Sequence, residues 1–450
     1  MSPTATIPEE AAPLYKPITY SLREIRDAIP KELFEREMRR GLAYLGRDFA
    51  FTSFAMWSIW VVDTILLKGP ASQLLHPAAV EGLRWLAWLS YWWFQGLILT
   101  GIWVIGHECG HGAFSRHQRI NDVIGFIIHT SLWTPYFSWK ISHHRHHISS
   151  GSMEKDQVYV PKTRSDLGLP PSATSLDYHE ILGDTPLYTL FMLVRQQVLG
   201  FPAYLCFNVS GPKEYPRWTN HFNPNAIIFT PSQWKVVVLS DLGIGFMVWV
   251  SYDLCSTWGT MNVFKYYGIP WLMVTNWFIM VTYLQHTAPE VPHYRGDAWT
   301  FTRGAAATVD RNFLGQQGKL FLHGVAHYHV VHHFFPKMPF YHGEEATRHL
   351  KKLLGVHYNS SDDSTFKSLW ETYNKCQFVE DEGSVLFYRD KLGRSSRRAE
   401  EEMSACCRWS PCEIRCIINA AFDAVIGELS ASRSITVARA TSTRHGKAMR

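Results

Sequence analysis

The apolar residues of this chain are gathered into blocks rather than spread at an even amphipathic period. Residues 49–67, FAFTSFAMWSIWVVDTILL, and residues 84–106, RWLAWLSYWWFQGLILTGIWVIG, are each about as long as the ~20-residue helix that crosses a ~30 Å hydrocarbon core. Asp63 lies near the far end of the first block, and Trp85, Trp88, Trp92 and Trp93 flank the second as interfacial aromatics. Three further blocks follow at 186–207, 234–252 and 268–285. The first of these carries Arg195, Gln196 and Gln197 at its centre, where a charge facing lipid costs several kcal/mol. It is therefore expected to lie in the interface or to pack against other helices, while the last two form a transmembrane hairpin. The pattern predicts an all-α integral membrane fold with about four transmembrane helices plus an interfacial helix.

The polar segments complete the layout. Residues 1–48 carry Arg23, Arg26, Lys31, Arg36, Arg39, Arg40 and Arg47 ahead of the first block, a basic flank that reads as a cytosolic N-terminal segment. Neither a basic leader nor an apolar signal core is visible at the start, so insertion is expected to use internal segments. Residues 161–183, with Pro161, Pro170 and Pro171, read as a loop, and 343–375 as a polar amphipathic helical cap. The membrane domain is thus expected over 49–390, followed at 391–450 by a Ser-, Arg- and Ala-rich tail with no apolar period, read as disordered.

Composition adds two points. With 18 Trp, 20 Tyr and 26 Phe, the chain has the aromatic content of a bilayer protein; its net charge of +5 is not gathered into a stripe, so no nucleic-acid partner is expected. The eight cysteines follow no disulfide or zinc-ribbon spacing: Cys109, Cys206, Cys255 and Cys376 lie far apart, and Cys406, Cys407, Cys412 and Cys416 cluster in the tail.

The candidate chemistry is carried by histidine. His107 and His111, in HECGH, are one helical turn apart and share a face. HHRHH supplies His143, His146 and His147, and HVVHH supplies His329, His332 and His333; both triplets have i, i+3, i+4 spacing, which again is one helical face. With four crossings all three clusters emerge on one side of the membrane, and His286, at the end of the last block, makes a ninth. A zinc ion takes three or four protein ligands, so nine imidazoles suit two metal ions, with iron favoured as a redox-active pair beside a lipid phase. HECGH also fits the H-E-x-x-H of a zinc protease with Glu108 as base, but that reading leaves two clusters unused. A His-rich metal transporter is the non-enzymatic alternative. His76, His117, His129, His179 and His221 are read as ordinary polar surface residues.

HECGH, HHRHH and HVVHH are similar to the three histidine boxes of the membrane fatty acid desaturases. The flanking PYFSWKISHHRHH, EKDQVYVP, VTYLQHTAPEVPHY, RGAAATVDR and HVVHHFFPKMPFY resemble the oleate (Δ12) and ω-3 branch, over roughly residues 40–390. The resemblance implies a helical membrane enzyme whose cytosolic cap holds a His-rich dimetal site, a non-haem diiron centre. Its ligands would be His107, His111, His143, His146, His147, His329, His332 and His333, with His286 the ninth. His144 stands outside that set and His323 is a weaker candidate. The implied reaction uses O2 as co-substrate and two electrons to place a cis double bond in a membrane-lipid acyl chain. Δ12 insertion is favoured, with ω-3 or bifunctional desaturation, hydroxylation or conjugation using the same ligands. No His-Pro-Gly-Gly segment of a fused haem domain is present, LLHPAAVEG being nearest, so separate cytochrome b5 and its NADH-dependent reductase are the implied donors, at the endoplasmic reticulum. Glu108 is read as a carboxylate that orients a ligand, Asp156 either as orienting a ligand or the cap or as an ordinary surface carboxylate, and Trp133, Phe137 and Trp139 as shaping the acyl tunnel.

Overall fold

A computed structural model describes residues 12–69, 71–170 and 185–399, with the side chains of residues 71 and 72 also outside the description. Over these residues the protein is mostly helical, with almost no sheet. The principal helices are α1 (Leu22–Asp27), α2 (Met38–Lys68), α3 (Pro77–His111), α4 (Gln118–Ser131), α5 (Tyr136–Ser149), α6 (Pro186–Phe207), α7 (Trp234–Trp258), α8 (Ile269–His286), α9 (His329–Phe334), α10 (Gly343–Leu354) and α11 (Thr365–Lys375). Among the described residues strand pairing consists of three two-residue pairs and a few isolated bridges, such as Thr163 with Val379. β1 (Leu14–Tyr15) runs parallel to β6 (Arg398–Ala399), β2 (His293–Tyr294) antiparallel to β5 (Val385–Leu386), and β3 (Asp310–Arg311) parallel to β4 (Ser360–Ser361).

The centre of the fold is α3. His76 caps its N-terminus by accepting the Ala78 N–H, Pro77 occupies the first turn, and Gly112, at φ 74°, ends it in the left-handed conformation. At 1.5 Å per residue its 35 residues extend about 52 Å, well beyond a ~30 Å hydrocarbon core, so part of the helix must project past the lipid. From Gln95 to His111 nearly every residue is buried, because neighbours close on all sides. The approach is tightest at Gly106, where a Cβ would stand 2.3 Å from His129 Cδ2, and at Gly101, where it would stand 2.0 Å from the Phe321 carbonyl oxygen.

Among the described residues four helices are long and apolar enough, by length and composition, to cross a membrane: α2, α3, α6, and α7 with the turn before it. The number agrees with the expected four. α8, expected as a span, runs along α3 from the level of Tyr91 and Trp92, which bond the Tyr266 and Lys265 carbonyls just before it, to the histidines, and α6, expected in the interface, has Tyr204 near one end bonded to Ser142 of α5. At the centre of α6 Gln197 turns inward and is buried, while Arg195 is exposed on the outer side with Leu187, Phe191 and Val194. α8 carries Asn276, Thr282 and Gln285 and packs against α3 and α6. Outward-facing Phe54, Trp57 and Trp60 on α2, and Leu242, Phe246 and Trp249 on α7, are exposed apolar surface of the kind a bilayer covers.

The cap is built from both ends of the chain. Ile18, Ile25, Ile29 and Leu33 share one core with Val330, Val331 and Phe334 of α9 and Ala346 and Leu350 of α10. The helices α10 and α11 realise the amphipathic cap expected at 343–375. The expected boundary at residue 48 falls inside α2, and that at 391 falls ahead of β6, which returns to pair with β1. Residues 400–450, with the four tail cysteines, lie outside the described residues; Cys109, Cys206, Cys255 and Cys376 are free thiols.

Candidate metal centre

Four helices deliver the histidines. The last turn of α3 presents His107 and His111 with their Nε2 atoms 3.2 Å apart, and α5 presents His143 and His147 with theirs 3.1 Å apart. With His332 from α9 these form one group whose ligand atoms all lie within 4.8 Å of one another. His146, His286 and His333 form a second such group, and His329 Nε2 lies 3.0 Å from His286 Nε2, beside it. The two groups adjoin, since the rings of His147 and His333 stack at 4.1 Å. All nine sequence-predicted histidines are therefore brought together, five and four. His144, on the outer face of α5, is exposed.

Each imidazole is presented by a specific support. Asp156 lies with Oδ2 2.9 Å from His146 Nδ1 and also accepts the N–H groups of Val158 and Tyr159. A proton held on Nδ1 by that carboxylate leaves the Nε2 lone pair facing His286. Glu108 Oε1 lies 3.3 Å from His107 Nδ1 and 3.9 Å from His332 Nδ1, behind both rings rather than at the convergence point. That is the place of a positioning carboxylate, not of a protease base aimed at a metal-bound water. Trp139 stacks on His143 at 4.4 Å.

Two residues that the sequence reading assigned no role complete the frame. Arg311 is buried and donates to the carbonyls of Leu284 (2.7 Å) and Thr287 (3.2 Å), closing the end of α8 that carries His286. Asp310 accepts the Val330 N–H at 2.9 Å and the Tyr358 hydroxyl, fixing the start of α9. Their only sequence signal was the adjacent Asp-Arg pair in RGAAATVDR.

Electrostatics favour neutral ligands. Burial pushes His143, His147, His329 and His333 well below the ordinary imidazole range, neighbouring imidazoles adding to the effect, and lowers His332 to about 3. Buried ring nitrogens without hydrogen-bond partners include His332 Nε2 and both nitrogens of His333. A cluster of desolvated lone pairs of this kind fits a metal ion, which needs deprotonated imidazole.

Other histidines behave differently. His129 and His221, expected at the surface, are fully buried: His129 stacks on Trp103 at 4.7 Å and bonds its carbonyl, and His221 bonds Ser142 Oγ at 3.0 Å. Their neighbours are aromatic walls that sequence proximity does not disclose. His76 is the helix cap described above, His117 is exposed, and His179 lies outside the described residues. His323 pairs with Asp48 at 2.8 Å, tying α2 to the loop before α9, and joins neither histidine group.

Beside the histidines opens an apolar cavity of about 250 Å³, lined by Trp103, Trp139, Phe278, Ile279 and Val325 together with His107, His143, His146, His286 and His329. Of the three aromatics expected to shape a tunnel, only Trp139 lines it. Trp133 sits in a turn at φ 59° and Phe137 packs on Phe126.

Two adjoining histidine groups beside an apolar cavity suit metal chemistry on an apolar substrate, and comparison with known proteins decides the family. Residues 83–363 match the family model described as fatty acid desaturase. The chain belongs to the fatty acid desaturase family. A Delta(12) fatty acid desaturase of Mortierella isabellina is 42% identical over 86% of this chain and 96% of its own length. An oleoyl-12-hydroxylase of Ricinus communis is 40% identical over 84% and 93%. An omega-6 fatty acid desaturase, endoplasmic reticulum, of Brassica juncea is 38% identical over 83% and 92%. The desaturase match runs from the start of the second membrane-length helix to the cap and includes every histidine of both groups. This desaturase is accordingly an oxidoreductase acting on lipid acyl chains.

Proposed function

We propose that this desaturase inserts a cis double bond at the Δ12 position of an oleoyl chain carried by a membrane lipid. The observation that carries the reading is the junction of the two histidine groups with the apolar cavity, in a chain whose relatives include Δ12 desaturases. His107, His111, His143, His147 and His332 would hold one iron ion, and His146, His286, His329 and His333 the other. When bound, the two ions supply the oxidising chemistry by which dioxygen, two electrons and two protons convert a methylene pair to an alkene and two waters.

The residues of the chain do the rest. Phe278, Ile279 and Val325 hold the acyl chain dry beside the imidazoles, which limits side reactions with water. Asp156 and Glu108 fix ring orientation, and Arg311 and Asp310 hold the two backbone termini from which His286 and His329 project. Electrons come from cytochrome b5 and its NADH-dependent reductase, which places the histidine face in the cytosol at the endoplasmic reticulum. The name of the Brassica juncea relative supports that membrane.

Expression in a eukaryotic host that makes oleate but no dienes tests the reading. Mass spectrometry of the acyl chains is expected to find a Δ9,12 diene that disappears in the His146→Ala variant. Accumulation of 12-hydroxyoleate instead would assign the activity of the Ricinus communis relative.

A further inference from the structure

The apolar cavity beside the histidines has a second neighbour. Tyr159, Val209 and Ser210 line it and also line a polar cleft of about 900 Å³. The walls of that cleft are fixed. Val160 N–H donates to the Ser210 carbonyl at 2.9 Å and Ser210 Oγ donates to the Val158 carbonyl at 2.6 Å. At Gly211 any Cβ would stand 2.7 Å from the Gln157 carbonyl oxygen, so the turn admits only glycine without shifting.

The chemistry of the cleft is of two kinds. Its lip follows the end of membrane-length α6 and bears Phe207, Val209 and Trp218, which are 50%, 58% and 62% exposed, the two aromatic rings 5.5 Å apart. Exposed aromatics at the end of a span mark the membrane–water interface. Behind the lip stand the cations Lys162, Lys213, Arg217 and Arg295. Lys213 is held by Asp166 at 2.5 Å, and Arg217 lies 5.3 Å over the Trp218 ring. Among the described residues Lys162 and Arg217 make no ion pair, whereas Arg295 lies 3.9 Å from Glu154 and donates to the Glu380 carbonyl, only its Nε lacking a partner. The acidic residues there are Asp166, already paired, Asp381, which accepts from Ser165 Oγ, and Glu214.

We propose that this cleft seats the phosphodiester headgroup of a membrane phospholipid among Lys162, Lys213 and Arg217, its acyl chain entering the cavity past Tyr159, Val209 and Ser210. The proposal rests on the desaturase reading in that the chain so admitted is the substrate. The phosphates of a water-soluble acyl thioester offer the same anionic chemistry; the exposed apolar lip at the end of α6 favours the lipid.

The test is photo-crosslinking of the full-length protein in nanodiscs, using a phosphatidylcholine with a diazirine on its oleoyl chain and locating the label by peptide mass spectrometry. Peptides containing Tyr159 and Val209 are expected to carry it. A basic residue at a membrane surface contributes about 1 kcal/mol, or about fivefold, so the Lys162→Gln/Arg217→Gln variant, which lacks two, should label about thirtyfold less. The Lys162→Arg/Arg217→Lys variant should label as wild type does, and wild-type labelling should weaken as KCl is raised. Val209→Trp, which narrows the shared opening, should block labelling of the cavity. Unchanged labelling in the glutamine variant overturns the proposal, as does displacement of the probe by equimolar oleoyl-coenzyme A. Labelling needs no turnover, so a protein that binds the probe but makes no double bond refutes the activity while supporting the site.

Discussion

Replacing Asp156 separates metal orientation from simple packing. Its carboxylate is buried and meets three donors: His146 Nδ1–H at 2.9 Å, Val158 N–H at 2.9 Å and Tyr159 N–H at 3.3 Å. Asn keeps the volume and one acceptor but loses the charge that makes the imidazole a stronger ligand. Loss of such an outer partner typically lowers metal affinity or activity ~10–100-fold. Ala leaves all three donors unpaired in a dry site, at about 1–3 kcal/mol each, so it should also destabilise the loop that carries Tyr159. The assay pairs metal content of the purified protein, by plasma mass spectrometry, with diene yield in the expressing host. The expected order is wild type, then Asp156→Asn, then Asp156→Ala, with metal content and diene yield falling together. If Asp156→Asn bound metal as wild type does while diene yield collapsed, the carboxylate would act on substrate or protons, and the orienting role would be refuted.

Three further outcomes follow from the frame. Arg311→Met removes two hydrogen bonds from a charged donor to the end of α8, worth roughly 1.5–3 kcal/mol each, and should lower the melting temperature by several degrees and reduce metal retention, as read by differential scanning fluorimetry and metal analysis. Gly106→Ala drives a Cβ to 2.3 Å from the His129 ring inside a close-packed helix crossing and should cost about 3 kcal/mol or more, seen as loss of folded protein on size-exclusion chromatography, whereas Gly46→Ala, which meets nothing within 4 Å, should be silent. Burial lowers His221 to about 4, so the unfolded chain binds the extra proton first; its stabilisation is complete above about pH 6.5 and is lost as pH falls towards 4, and His221→Gln should show a shallower loss of melting temperature with acid than wild type.

How much of this was legible beforehand depended on the range of the forces involved. Helical spacing is local, so the one-face geometry of His143, His146 and His147 could be read from HHRHH, and the convergence of three clusters followed from counting membrane crossings. Which face of α6 is buried was less legible, because block hydropathy cannot see that Gln197 turns inward while Leu187, Phe191 and Val194 remain outside. The buried His129 and His221 were misread for the same reason: a histidine beside Trp103 or Tyr204 in space has no mark of it in sequence. Asp310 and Arg311 act through backbone groups of α8 and α9, and main-chain carbonyls and N–H groups leave no residue-type signature.

Glu108 returns the problem to its sharpest form, since HECGH alone satisfies a zinc-protease pattern. In such a protease the carboxylate must reach the water on the metal, ahead of the ligating nitrogens. Here it stands behind them: one oxygen, Oε1, faces Nδ1 of His107 at 3.3 Å and of His332 at 3.9 Å, linking two boxes within the same five-histidine group. Glu108→Gln preserves shape and one acceptor, so the protein should keep part of its metal and a measurable fraction of its diene yield, and Glu108→Ala should lose most of both. Removing a protease base instead abolishes turnover without touching the metal. A Glu108→Gln protein with full metal content and no activity would therefore move Glu108 from the frame of the site into its chemistry.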